Sequence, residues 1–211
     1  MGAALLRFEC GGVGRNESVC INVVQQQCIF EAEVGIGAAQ CLHAGSGRTS
    51  TTCAEQYNLQ AVEVLAFYEG RDEVADLGFE DALVDFIHYP AKAARPYVVA
   101  ANPELVNRIA GDDMMRGCTI AANGFYGPQG RVLRCDLAVK EINDLITDFR
   151  YEGQRITNYE MEGSAIAGLS LLMGHKAMTV CCVIAQRKVE AANTDYKPRI
   201  KQLVQTVLER I

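Results

Sequence analysis

The strongest constraint on the fold is a nine-residue segment near the C-terminus, AMTVCCVIA at 177–185, which is apolar almost throughout. A strand with one solvated face alternates apolar and polar side chains. A run without this alternation therefore predicts a strand that is buried on both faces. Strands of this kind are typical of parallel sheets that carry helices on both sides. The run is also too short to span a bilayer.

Helix and strand patterns alternate around this segment. Apolar periodicity, prolines at helix starts and glycines at helix ends predict helices over 77–88, from Pro103 to Gly111, over 137–149 and 161–173, and from about Lys197. A short apolar run, CTIAA, predicts a buried strand over 118–122, and RITNY at 155–159 is a candidate strand. This alternation indicates an α/β fold with a mostly parallel sheet.

Size and charge narrow the class of protein. With 211 residues and 49% hydrophobic residues, 1–211 is predicted to be a single globular domain. A net charge of −6 disfavours binding to nucleic acid. The first twelve residues, MGAALLRFECGG, make a poor signal peptide and no apolar run could cross a membrane, so a cytoplasmic location is expected.

The nine cysteines are odd in number and include no CxxC pair. A disulfide framework or a structural zinc site would favour a short secreted chain or closely spaced pairs. Buried thiols are therefore expected, and no metal site is predicted.

The first part of the chain differs in composition from the rest. Residues 1–53 hold five of the cysteines but no Lys, Asp, Tyr or Pro, and HAGSGRTSTTC at 43–53 is small and polar, as in a loop. Residues 1–60 are therefore expected to be divergent and poorly packed, whereas 61–211 are well patterned. A truncated, rearranged or out-of-frame front, with strands missing from the sheet, is the hypothesis that accounts for this.

Side chains able to contact a ligand follow three of the predicted strands. They are Phe125, Gln129 and Arg131 after the first, Glu160 and Glu162 after the second, and Gln186 and Arg187 after the third. Ligands of open α/β sheets bind beyond the carboxyl ends of strands, so these sets are expected to converge on one pocket.

The residue types suit a nucleoside. Phe125 can stack on a planar ring, Gln129 offers a donor beside an acceptor, and Arg131 can stabilise an anion. A carboxylate such as Glu162 can accept hydrogen bonds from two vicinal hydroxyls of a ribose.

Each of these residues also has a plain structural interpretation. The loop GFYGPQGR could be a tight Gly/Pro turn, and Glu160 and Glu162 could complement a helix N-terminus. Phe125 and Met161 could be core residues, and Arg187 a solvated charge.

Two longer motifs carry a family resemblance. ANGFYGPQGR at 122–131 and ITNYEMEGSAIAGLSLLMGHKAMTVCCVIAQR at 156–187 resemble the uridine phosphorylases of the nucleoside phosphorylase-I family, and a weaker match begins near Leu65. The resemblance implies a three-layer α/β sandwich and reversible phosphorolysis of uridine to uracil and ribose 1-phosphate, as in pyrimidine nucleoside salvage. It also implies inorganic phosphate as co-substrate, no cofactor, and a dimer-based homo-oligomer, a hexamer in relatives.

The same resemblance assigns roles to residues. Gln129 and Arg131 correspond to the uracil-reading residues, Phe125 to the aromatic wall, and Arg187 to an arginine near a uracil carbonyl. Met161 and Glu162 correspond to ribose contacts, and Glu160 belongs to the same motif. Arg131 and Glu162 would be the catalytic residues, the first stabilising the departing uracil anion and the second orienting the sugar.

The front of the chain departs from the family pattern at the phosphate-binding elements. Residues 11–15, GGVGR, lack the Asp-Pro of the family's phosphate loop, which leaves Arg15 as a weak candidate. In the second element, Gly35 and Ala38 stand where relatives have Arg and Thr. A remnant that binds nucleosides or associates with intact subunits is therefore an alternative, and a purine nucleoside phosphorylase or nucleosidase is a further one.

Overall fold

The computed structural model describes residues 17–28, 51–60, 65, 68–186, 191–192 and 195–211. Its strands are β1 Glu17–Cys28, β2 Thr51–Gln60, β3 Tyr97–Ala100, β4 Met115–Ala121, β5 Ile156–Glu160, β6 Lys176–Gln186 and β7 Ala191–Ala192. Its helices are α1 Arg71–Val74, α2 Leu77–Phe86, α3 Pro103–Ile109, α4 Ile142–Asp148, α5 Gly163–Leu172 and α6 Lys197–Arg210.

The described strands form one mixed sheet in the order β3-β2-β4-β5-β1-β6-β7, with a further pairing between β2 and β6. Its two longest ladders, β1 with β6 and β2 with β4, are parallel, and β4 is parallel to β5. β2 pairs antiparallel with β3 and with β6. The predicted α/β class with parallel strands is confirmed, and the predicted β6 strand lies inside the sheet.

Helices cover both faces of the sheet. Met178, Val180 and other alternate residues of β6 pack against apolar side chains of α3 and α6, which include Leu105 and Val207. The other faces of the strands contact α5, where Thr179 lies against Gly163. β3 shows the same division, since Val98 packs with α2 and α4 and Val99 packs with α5. This is the three-layer arrangement that continuous apolar strands require.

Local sequence signals set the helix starts. The side chain of Asp76 accepts a hydrogen bond from the Phe79 N–H at 2.9 Å, which caps α2. Asn102 caps α3 by accepting from the N–H groups of Glu104 and Leu105 at 3.1 Å each, with Pro103 in the first helical position. Such caps satisfy backbone donors that have no partner within the helix.

The front of the chain contributes two strands to the sheet. β1 lies between β5 and β6, and β2 pairs with β3, β4 and β6. The expectation of a loop over 43–53 was wrong for residues 51–53, which begin β2 opposite β6. Small polar residues are more frequent in loops but also occur in strands, and β-branched threonine favours a strand. The remaining loop residues, and the phosphate-loop candidates at 11–15 and 35–42, lie outside the described residues. The poor packing expected for 1–60 stays a prediction.

Cysteines in the described ranges follow the expectation in part. Cys118, Cys181 and Cys182 are buried thiols, but Cys135 is exposed in the loop before α4. Nothing in that loop's periodicity distinguishes this thiol from the buried ones. Among the helices that the structure describes, none is long and apolar enough to cross a bilayer.

Candidate active site at the ends of β4 and β5

Parallel pairing of β4 and β5 brings two of the predicted sets of residues to the same edge of the sheet. Ala121 pairs with Glu160, and the N–H of Ala122 donates to the carbonyl of Glu160 at 2.7 Å. The loop that carries Phe125, Gln129 and Arg131 therefore leaves the sheet beside the segment 160–162.

The loop after β4 is both a tight turn and an ordered cluster of side chains. Gly127–Gln129 form one turn of 3₁₀ helix, and Gly130 follows in the left-handed conformation with φ 68°. The N–H groups of Gln129 and Arg131 both donate to the carbonyl of Tyr126 at 3.0 Å. This turn folds Arg131 back onto Phe125, with its guanidinium carbon 4.0 Å from the ring centroid. A cation at that distance is attracted to the aromatic face.

Gln129 lies in the interior and only 4% of its surface is exposed. Phe125 and Arg131 are half-buried, whereas Tyr126 packs edge-on against Phe125 and is exposed. The turn thus places a guanidinium over an aromatic ring and carries a buried amide between them in the sequence. These are the groups that read the edge and face of a heterocycle.

Glu160 is fully buried and holds the start of α5. One of its carboxylate oxygens, Oε2, accepts from the N–H groups of Glu162 at 2.8 Å and Gly163 at 2.5 Å. Burial raises the pKa of Glu160 to about 7, although these backbone hydrogen bonds oppose the rise. The structure shows that Glu160 contacts a helix N-terminus, which the sequence had left open as an alternative. Direct contact of Glu160 with a substrate stays a prediction.

Glu162 is half-buried and differs from Glu160 in its hydrogen bonding. Its Oε2 is shielded from solvent and has no hydrogen-bond partner among the described residues. Burial also raises the pKa of Glu162, against a hydrogen bond from the backbone of Met161. A buried acceptor without a donor costs about 1–3 kcal/mol, so a ligand hydroxyl at this oxygen would remove a real penalty. Met161, which lies between these two glutamates in the sequence, is half-buried.

The third predicted set is described only through the backbone. Gln186 ends β6 and pairs with Cys28, which also pairs with Asn158 in the middle of β5. Because β1 is parallel to β6 but antiparallel to β5, β6 runs opposite to β5 and the pairing alone does not bring the carboxyl ends of these two strands to one edge. Arg187 and Arg15 lie outside the described residues. Their predicted roles stay predictions.

Sequence reasoning missed a polar layer beneath this edge. Asn158 donates from Nδ2 to the hydroxyl of Thr119 at 2.9 Å, and Thr157 donates to the carbonyl of Cys118 at 3.0 Å. Tyr97 is fully buried and hydrogen-bonded to Ser164 at the start of α5, and burial raises its pKa to about 12. Two consecutive polar residues in the candidate strand 155–159, Thr157 and Asn158, were the available signal, because polar groups that become buried need partners.

The sequence of the chain is similar to those of known phosphorylases. A sequence model of the phosphorylase superfamily matches residues 56–210. Among curated proteins, uridine phosphorylase A of Schistosoma mansoni is 40% identical over 73 residues, which is 34% of this chain and 24% of that protein.

Solved structures are similar at the level of the fold. A Trypanosoma brucei nucleoside phosphorylase, whose structure is described as showing uridine phosphorylase activity, superposes with a TM-score of 0.70 and 18% identity, covering 92% of this chain and 63% of that one. Apo uridine phosphorylase of Schistosoma mansoni gives a TM-score of 0.53 and 21% identity, with 92% and 60% covered. The chain therefore spans less than two thirds of each of these relatives.

Proposed function

Because the chain belongs to the phosphorylase superfamily, whose sequence model its residues 56–210 match, we propose that it binds a pyrimidine nucleoside at the edge formed by β4 and β5. The proposed reaction is the reversible phosphorolysis of uridine to uracil and ribose 1-phosphate, with inorganic phosphate as co-substrate. Assembly as a homo-oligomer and a cytoplasmic location remain part of this proposal.

The observation that carries the proposal is that the Phe125–Arg131 cluster and Glu162 follow two paired strands, β4 and β5. Arg131 lies over the Phe125 ring, 4.0 Å from its centroid, and Glu162 keeps a buried carboxylate oxygen without a donor among the described residues. A base that stacks on Phe125 would take the face that Arg131 leaves open. The attached sugar would offer its hydroxyls to Glu162, because a carboxylate accepts from two neighbouring hydroxyls.

The chain's own residues would act chiefly by electrostatics. In phosphorolysis, a phosphate oxygen bonds to the anomeric carbon as the bond from that carbon to the base nitrogen breaks. The electron pair of the broken bond stays with uracil, and negative charge develops on the ring. Arg131 and Gln129, held in a turn fixed by backbone hydrogen bonds, would stabilise this charge without reorganising. Glu162 would hold the sugar in the reactive orientation.

A second candidate function is a family member that binds nucleosides without turning them over. It is favoured by Gly35 and Ala38, which stand where the family pattern that the sequence resembles has an arginine and a threonine for phosphate. Loss of cationic donors removes stabilisation of a phosphate dianion.

The deciding experiment follows the absorbance change of uridine conversion to uracil with the purified chain, with and without phosphate, and with inosine in parallel. Phosphate-dependent turnover of uridine and none of inosine is the expected result. Turnover without phosphate would identify a nucleosidase, and inosine turnover a purine enzyme, so either would overturn the proposal. Uridine binding by calorimetry without turnover would establish the second candidate instead.

A further inference from the structure

The side chain of Asn143 on α4 joins the two halves of the candidate site. Its Nδ2 donates to the carbonyl of Gly130 at 3.3 Å, and its Oδ1 accepts from the hydroxyl of Tyr159 at 2.9 Å. Gly130 lies between Gln129 and Arg131 in the chain. Tyr159 lies in β5, directly before the segment 160–162.

The orientation of this amide is fixed by its partners. A backbone carbonyl only accepts, so the group facing Gly130 is the NH₂ of Asn143, and its oxygen faces the tyrosine hydroxyl. Tyr159 is 1% exposed and packs in the apolar cluster with Phe79 and Phe149, which makes it a rigid anchor. Asn143 is held in turn by Thr147, whose hydroxyl donates to the Asn143 carbonyl at 2.6 Å.

The close approach depends on a glycine at position 130. A Cβ there would lie 2.4 Å from Nδ2 of Asn143, well inside any real contact. The loop therefore reaches α4 only because the residue between Gln129 and Arg131 has no side chain. A displacement of this peptide group would move both neighbouring side chains at once.

We propose that Asn143 is a positioning residue that fixes the base-contacting turn relative to β5, and so sets the separation between the base and ribose contacts. The role in substrate binding rests on the proposed function, whereas the bracing of the turn does not. Asn143 would act through Gly130 and Tyr159 without contacting the substrate.

Two variants test the bridge at its two ends. Asn143→Asp is nearly isosteric but replaces the donor to Gly130 with an oxygen, while an acceptor for Tyr159 remains. Tyr159→Phe removes the anchoring hydroxyl alone. Tyr151→Phe is the matched control, because Tyr151 packs against Phe79 in the same cluster, with ring centroids 4.7 Å apart.

Two measurements are made on all of these proteins. The first is amide hydrogen exchange of a peptide that covers 124–133. The second is the ratio of the dissociation constants for uracil and for ribose 1-phosphate. Loss of one or two hydrogen bonds at the turn is expected to weaken uracil binding roughly 3- to 10-fold in both variants, with ribose 1-phosphate binding nearly unchanged. Exchange at 124–133 is expected to speed up in both variants and to stay at the wild-type rate in Tyr151→Phe.

The outcomes separate this proposal from the proposed function. Unchanged exchange in both variants overturns the bridge. Faster exchange with equal weakening of uracil and ribose 1-phosphate shows a merely structural role and overturns the positioning role. Faster exchange in a chain whose wild type binds no nucleoside supports the bridge and contradicts the proposed function alone. Should Asn143→Asp fail to fold, Tyr159→Phe decides the same question.

Discussion

At the scale of single residues, Glu160 and Glu162 are two carboxylates, two positions apart, that differ in their hydrogen-bond contacts. Glu160 accepts through Oε2 from the backbone N–H groups at the start of α5, whereas Glu162 makes no such contact with the helix in the part of the chain described. The Oε2 atom of Glu162 is buried with no donor among the residues described. The difference follows from the end of β5, where the chain turns into α5 and Glu160 points under the turn. Glu162 therefore keeps acceptor capacity for a ligand, and Oε1 of Glu160 is a second buried oxygen with no hydrogen bond of its own among the residues described.

Replacing Glu162 with Gln is expected to separate ribose binding from base binding. The amide keeps the shape of the carboxylate but loses its charge and half of its acceptor capacity. Uridine affinity should fall about tenfold, as for loss of a hydrogen bond to a charged group, and uracil affinity should not change. Calorimetric titration with both ligands measures this.

Glu69→Gln provides the control for this change, since Glu69 is an exposed glutamate in the turn before α1. It should leave both affinities at the wild-type level. A parallel loss of uracil and uridine affinity in Glu162→Gln would contradict the assignment of Glu162 to the ribose.

At the scale of elements, the turn at 127–130 depends on a glycine for two separate reasons. Gly130 has a φ of 68°, and its missing Cβ leaves room for Asn143. Gly153 has a φ of 78° but no atom within 4 Å of its ideal Cβ. Comparing substitutions at Gly130 and Gly153 therefore separates the cost of backbone strain from the cost of a steric clash.

Gly153→Ala is expected to destabilise the fold by about 1 kcal/mol, the cost of a left-handed alanine. Gly130→Ala should cost roughly 2–3 kcal/mol, because the contact with Asn143 is added to the same backbone term. Urea unfolding of the two variants measures the difference. Equal losses would mean that α4 moves away freely and that the contact exerts no constraint.

The elements that could be predicted from sequence are those with local signals. The predicted helix 161–173 is observed as Gly163–Leu172, and the predicted strand 177–185 as Lys176–Gln186. The helix predicted over 137–149 begins only at Ile142, because apolar spacing continues into a preceding stretch with no helical hydrogen bonds. The bridge from Asn143 to Gly130 and Tyr159 could not be predicted from the sequence, because tertiary packing brings together residues that are 13 and 16 positions apart.

At the scale of the whole molecule, the position of Glu160 couples folding to pH. Burial raises its pKa to about 7 from 4.5, so the folded chain binds this proton more tightly than the unfolded chain does. The stabilisation of the folded state by the proton on Glu160 is complete below pH 4.5, and it is lost as the pH rises through about 7. The full effect corresponds to about 3 kcal/mol.

Glu160→Gln should remove this dependence while an amide oxygen still accepts from the start of α5. The free energy of unfolding of the wild type is expected to fall between pH 5 and pH 8 by a few kcal/mol more than that of the variant. Urea unfolding at several pH values gives both curves. Glu73→Gln, on the exposed side of α1, serves as the control and should retain the wild-type curve. Parallel curves for the wild type and Glu160→Gln would show that the carboxyl stays ionised in the fold.

The contact between Glu160 and the first turn of α5 has a consequence for competition between anions. A helix N-terminus attracts phosphate because its N–H groups and its dipole favour negative charge. Here a tethered carboxylate already occupies the N–H groups of Glu162 and Gly163. A group held in place by the fold has an effective concentration that a freely diffusing ion does not match. Two donors at the start of α5 are thus already occupied by an intramolecular competitor, and the phosphate of the proposed reaction is expected to rely on other donors.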